Sequence, residues 1–167
     1  AQPHLGLNRQ PVQLQELQVH DETVVEKTSR FAAELHPSEP LLILYVPATR
    51  TARDCVLKVI DPLKKAGSSL VPIRIVNILD VSQLNLVLDW IVTYYYEQDL
   101  LETSNERARF FLDRKGATRK TWRLGTTDCG YTLYHPTLAP LSGSGPPSAH
   151  FLKSLTESLS QPHLPNQ

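Results

Sequence analysis

Two arginines and a lone nearby cysteine are the residues of this chain whose types and spacing could do chemistry. Cys55 closes the run Pro47-Ala48-Thr49-Arg50-Thr51-Ala52-Arg53-Asp54-Cys55, which follows an apolar stretch (residues 41–46) and enters a helix-patterned one (residues 52–65). A thiol near a helix start feels the positive end of the dipole, and guanidinium neighbours reinforce that effect. Cys55 is therefore the candidate nucleophile if the chain is an enzyme. Its surroundings argue otherwise, because Ala52, Cys55, Val56, Val59, Ile60 and Leu63 fall on one apolar stripe of 3.6-residue period. A cysteine on such a stripe behaves as a small, inert hydrophobe. Core packing, disulfide partnership and catalysis all remain open for it.

Arg50, Thr51 and Arg53 have a different potential. Basic side chains are disfavoured at a helix N-terminus by about 0.3–1 kcal/mol. Two of them there point either to solvent or to a nook where free N–H groups and guanidiniums bind an anion or an acidic partner. Arg107, Arg109, Arg114, Lys115, Arg119, Lys120 and Arg123 form a second basic cluster, which could flank the same face or simply be solvated. Tyr94, Tyr95 and Tyr96 cannot form one flat platform on a helix, since they point about 100° apart, and they are expected to pack in the core and its rim. His4, His20, His36, His135, His150 and His163 lack metal-ligand spacing, so no metal site is expected. Ser142-Gly143-Ser144-Gly145-Pro146 reads as a connector, and no other nucleotide or hydrolase motif is present. No cofactor is expected.

The bounds are consistent with a binding or catalytic domain rather than a nucleic-acid binder. The 167 residues suit one domain with its own core. Seventeen Lys and Arg balance seventeen Asp and Glu, so the basic excess that phosphate binding demands is missing. No run approaches the roughly 18 apolar residues of a membrane span. The sequence starts Ala1-Gln2-Pro3 and contains no methionine, as a chain would after removal of an export signal at a small-residue site. A periplasmic location is expected.

Periodicity supplies the elements that must position these residues. Residues 1–12 read as an extended arm, 12–19 as a half-buried strand, and 23–35 as an added strand followed by one or two helical turns. Residues 41–46, bounded by Pro40 and Pro47, suit a strand buried on both faces. A helix follows over 52–65, with Thr51 as its cap and Asp54 as the acidic partner; Pro62 should kink it or end it early, and Gly67 suits its stop. Residues 71–79 read as a strand, and 82–98 as a helix with Leu84, Leu88, Ile91 and Tyr95 on its inward stripe, widened by Val87, Trp90 and Tyr94. Then come a strand (108–113), a short helix with Trp122 (118–124), two strands joined near Pro136 (131–135 and 137–142), and a last helix whose Phe151, Leu152, Leu155 and Leu159 face inward. Residues 1–40 thus form an added arm, 41–161 the domain, and 162–167 a tail. The order β-α-β-α-β-α-β-β-α implies a partly parallel sheet closed by a hairpin and a covering helix.

That order, with its motifs, is similar to the YtfJ-like family of exported thioredoxin-fold proteins. The resemblance is carried by Arg50-Thr51 after the first core strand, Ile75-Val76-Asn77 in the next, Phe110, Asp113 and Gly116 in a turn leading to Trp122, and the hairpin over 131–141. It implies a thioredoxin-like α/β/α fold, with a mixed sheet and an N-terminal extension, and an exported location; it carries no activity. The thioredoxin-type CxxC pair is missing, and the position before the hairpin, Cys129-Gly130, lacks the fold's usual cis-proline. In the implied fold Cys129 faces the helix carrying Cys55, so these two cysteines could be bridged. Peroxiredoxins resemble the loop with P-x-x-x-T-x-x-C, but here one extra residue separates Thr51 from Cys55, a rotation of about 100°. The leading expectation is a non-catalytic periplasmic module, either envelope-associated or binding a protein or small anion at the Arg50/Arg53 face. The alternative is a thiol-dependent oxidoreductase or one-cysteine peroxidase using Cys55.

Overall fold

The computed structural model describes residues 10–102, 107–124 and 129–161. Along the chain run β1 (Val12–His20), β2 (Thr23–Phe31), β3 (Leu41–Pro47), α1 (Arg50–Ala66), β4 (Arg74–Asp80), α2 (Leu86–Glu102), β5 (Ala108–Asp113), α3 (Ala117–Trp122), β6 (Gly130–Tyr134), β7 (Leu141–Ser144) and α4 (Ala149–Leu159). The strands form one mixed sheet of order β2-β1-β5-β4-β3-β6-β7. β3, β4 and β5 are parallel, while β6 joins β3 and β1 joins β5 in antiparallel sense.

Burial explains why β3 is central. Leu41 through Tyr45 are all buried and divide between two cores. Leu42 and Leu44 meet α1, α4, Tyr131 and Leu133 on one face. Ile43 and Tyr45 meet Ile78, Phe111 and Trp122 on the other. A third cluster seats α2, through Val92, Tyr96 and Leu100, on Leu17, Leu79, Phe110 and Leu112. α1, α2 and α3 follow β3, β4 and β5, so all three begin at the same end of the sheet.

Several expected elements are corrected. Residues 23–31 form one nine-residue strand in full register with β1, with no helical turn after it. The strand is largely exposed, so it carries no burial period. The cap of α1 is Thr49, not Thr51: its Oγ1 accepts from the Ala52 amide at 3.1 Å, because the chain leaves β3 extended as far as Thr49. Pro62 is accommodated within α1, which ends at Gly67 with φ of 50°. β4 starts at Arg74, beyond Pro72, which has no amide to donate. α2 starts four residues late, where Asn85 Oδ1 accepts from the Leu88 amide at 2.9 Å. The last strand begins at Leu141 and takes in Ser142-Gly143-Ser144, part of the expected connector.

The face of α2 is the largest correction. Asp89, Val92, Thr93, Tyr96, Glu97 and Leu100 turn toward the sheet, while Leu88, Ile91 and Tyr95 are exposed. The helix is apolar almost all round, so periodicity could not choose its buried side.

Candidate functional site

At the shared end of β3, β4 and β5 the structure joins Cys55 to Cys129 in a disulfide, with Cα atoms 6.0 Å apart across 74 residues. Both cysteines are buried, among Leu44, Ala52, Val59, Tyr131 and Phe151. The bridge pins the first half of α1 to the entry of β6. Cys55 therefore offers no free thiolate in this state, and the helix dipole acts on a sulfur that is already bonded.

Arg50, Thr51 and Arg53 lie one turn earlier and are exposed. Arg50 and Arg53 stand at one end of an open groove of about 770 Å³ between α1 and α2. Its floor is Val46, Ile75, Asn77, Leu79 and Phe110; its walls are Val56, Leu57 and Ile60 on α1 and Val92, Tyr95 and Tyr96 on α2. Lys64 lies farther along the α1 wall, and Asp99 and Glu102 belong to the α2 wall. The groove is thus apolar within, cationic along α1 and anionic at the end of α2. It exists because α1 and α2 occupy the same face of the sheet without packing against each other.

The opposite face holds a polar network that the sequence reading missed. Tyr45 donates its hydroxyl to Asp80 Oδ2, while Asp80 Oδ1 accepts from the Ser82 amide at 2.9 Å and hydroxyl at 2.5 Å. Arg119 Nε approaches the same carboxylate at 3.8 Å. The neighbouring Asp113 accepts from the Ala117 and Thr118 amides at 3.0 and 2.8 Å, placing a carboxylate at the start of α3. Burial, then the bond to Asp80, pushes the Tyr45 phenol far above its ordinary range. The network fixes the loops at this end of the sheet, and hence the directions in which α2 and α3 leave it. Its one local signal was the Asp80-Val81-Ser82 spacing, since the partner Tyr45 lies 35 residues away.

The remaining candidates separate. The basic cluster is not one face: Arg107 pairs with Glu39, Arg109 with Glu16, and Arg114 with Glu26 and Asp89. The Arg109 guanidinium, bonded through Nε and Nη2 at 2.7 and 2.9 Å, holds the Glu16 carboxyl below its usual range. The three tyrosines also part company. Tyr96 donates toward the Asn77 and Phe111 carbonyls, whereas Tyr94 and Tyr95 are at least half exposed, contrary to the expected packing. Among the described residues no three His, Cys, Asp or Glu side chains converge as a metal site, and no helix is long and apolar enough to cross a membrane. His4 and His163 lie outside the described residues.

Known structures identify the fold. BsSco, a member of the Sco family of cytochrome c oxidase assembly proteins in which a disulfide switch was identified, aligns over 95% of each chain with a TM-score of 0.55 and 10% identity. Yeast Sco1 with copper bound aligns over 94% of this chain and 93% of its own, at 0.52 and 13%. A secreted Mycobacterium tuberculosis disulfide oxidoreductase homologous to E. coli DsbE aligns over 78% and 87%, at 0.47 and 10%. No family model and no curated protein matches the sequence. The chain has a thioredoxin-like fold: a mixed sheet between helical layers, here with an N-terminal hairpin added beyond β5.

Proposed function

We propose that this chain is an exported, periplasmic thioredoxin-fold module that binds rather than catalyses, taking an acidic segment of a partner protein beside Arg50, Thr51 and Arg53 in the α1–α2 groove. The observation that carries the reading is a division of labour at one end of the sheet. The cysteines are tied together inside the core, while the adjacent groove is open and bordered by two guanidiniums. A partner with aliphatic side chains flanking a carboxylate matches an apolar floor with a cationic mouth. The resemblance of its motifs to the YtfJ-like family supports the exported location, and a buried disulfide fits an oxidising compartment.

Titration with inorganic phosphate and with an Asp/Glu-rich peptide tests the groove. Amide shifts are expected at residues 50–53 and along β4, saturating for the peptide at lower concentration than for phosphate. Arg50→Ala with Arg53→Ala should abolish them. Unchanged shifts with both probes would sink the reading.

A second reading follows from the disulfide itself and from BsSco, which shares this fold and whose disulfide is described as a switch. Here reduction of Cys55–Cys129 would free the start of α1 and open the groove wall. A structural bridge resists reduction by glutathione, with a potential below about −300 mV, whereas a switch sits higher. Equilibration in glutathione buffers, read by thiol alkylation, separates the two readings. Insulin reduction or peroxide consumption lost in Cys55→Ser would restore the enzyme reading.

A further inference from the structure

We infer that α2 is a self-association helix, which pairs antiparallel with α2 of a second copy of this chain through Val87, Trp90, Tyr94 and Leu101. The starting observation is an inversion. α2 sends Asp89, Thr93 and Glu97 toward its own sheet and presents Leu86, Val87, Trp90, Ile91, Tyr94 and Leu101 to solvent. Trp90 is 73% exposed and Val87 67%. Two polar residues of the inward stripe have evident tasks there, since Asp89 receives Arg114 Nη1 and the Thr93 hydroxyl at 2.5 and 3.2 Å.

Three observations name a second copy as the occupant. The first is spacing. Val87, Trp90, Tyr94 and Leu101 recur at intervals of three, four and seven residues, positions of a helix-packing seam whose remaining place, between Tyr94 and Leu101, holds Glu97 and Gln98. The second is area. The exposed side chains of α2 present apolar surface on the order of 800 Å², above the largest patch of an ordinary monomer and close to one partner's share of a standard interface. The third is charge. α2 carries Glu97, Asp99 and Glu102 in its C-terminal half, has no basic residue in its last turn, and contains no Lys or Arg at all. A parallel pair would bring the two acidic C-terminal halves together with their helix dipoles aligned, whereas an antiparallel pair separates those halves and opposes the dipoles. The same lack of basic residues disfavours an anionic lipid surface, which interfacial helices meet with Lys and Arg.

The pairing follows from a two-fold axis near Tyr94. Val87 meets Leu101 of the second copy, and Trp90, stacked on Tyr94 at 6.5 Å between centroids, packs across the axis. The groove, on the other flank of α2 along Tyr95 and Val92, stays open in the pair.

Sedimentation equilibrium of the purified chain is the test, with a dimer expected at twice 18.8 kDa. Trp90→Ala should weaken association at least about 30-fold, the effect of losing a central aromatic anchor. Both residues are exposed, so Trp90→Ala and Tyr94→Ala should keep the wild-type circular dichroism spectrum. Val87→Cys combined with Leu101→Cys should give a covalent dimer on mild oxidation, while Val87→Cys alone should not. A wild-type monomer at about 0.1 mM, or a dimer indifferent to Trp90→Ala, overturns the proposal. Cross-linking by Val87→Cys alone refutes the antiparallel arrangement, and a monomer that floats with phosphatidylglycerol vesicles makes the occupant a lipid surface instead.

Discussion

Removing the disulfide should cost this domain a large part of its stability. The bridge closes a loop of 74 residues, which on the loop-entropy model withholds about 15 cal/mol/K from the unfolded chain, or about 4.4 kcal/mol at 25 °C. Both sulfurs are buried, so Cys55→Ala with Cys129→Ala also leaves a small void, and the total loss should be about 4–6 kcal/mol. For a chain of this length that lowers Tm by roughly 8–24 °C. Urea unfolding is the assay. The midpoint should fall, and the slope should rise, because an unbridged chain exposes more surface on unfolding. The wild-type protein should show no thiol to an aromatic disulfide reagent, native or in denaturant, until a reductant opens the bridge. A stability loss below about 1 kcal/mol, or free thiols in the native wild type, would refute the reasoning.

Four other outcomes follow. Tyr45→Phe removes a donor from buried Asp80 and should cost about 1–3 kcal/mol by urea unfolding at neutral pH; an unchanged midpoint contradicts the network. Burial raises Tyr45, Tyr96 and Tyr131 above the unfolded phenol value near 10, so their contribution is complete below about pH 10 and lost as pH rises further; phenolate absorbance and unfolding should then appear together. Glu16 is held low by Arg109, so its contribution is present above the unfolded carboxyl value of about 4.3 and fades as pH falls. Glu16→Gln should therefore cost about 1 kcal/mol at pH 7, given the half-exposed Arg109, and progressively less as pH falls through the folded carboxyl's lowered value. Asp21 and Glu22 both take positive φ, 49° and 66°, in the two-residue β1–β2 turn, a conformation that glycine adopts without steric cost. Glu22→Gly should raise stability by up to about 1 kcal/mol; a loss would mean that the Glu22 side chain holds the turn.

How much could be read beforehand depended on whether local pattern and burial agreed. The apolar run of β3 and the six residues of β5 were readable because strands covered on both faces need apolar side chains at nearly every position. α4 was readable because its apolar stripe is bounded by polar residues. β2 was only partly readable, since its pairing is dictated by β1 and the turn at Asp21-Glu22 rather than by its own exposed side chains. α2 failed for the opposite reason: apolar residues occur on every side of it, with polar ones among those turned to the sheet, so no stripe distinguished its buried side from its exposed one. Of the candidate site, Arg50 and Arg53 were visible as charges at a helix start, but their groove depends on where α2 lies. The Tyr45–Asp80 contact joins residues 35 positions apart, over which no spacing rule operates, whereas the Cys55–Cys129 bridge, 74 positions apart, was within reach only through the fold that the resemblance implied, and the structure forms it.

The disulfide also divides the chain mechanically. Between its ends lie β4, α2, β5 and α3; outside it lie β1, β2, β3, β6, β7 and α4. Tension applied to the two termini passes from Cys55 to Cys129 through the sulfurs and bypasses everything between them. The hairpin and α4 can be peeled away, yet about 250 Å of contour stays slack and unloaded until the bridge is reduced. Pulled across an envelope, such a chain would lengthen in two stages separated by a redox event. The α2 face would lie in the sheltered stage.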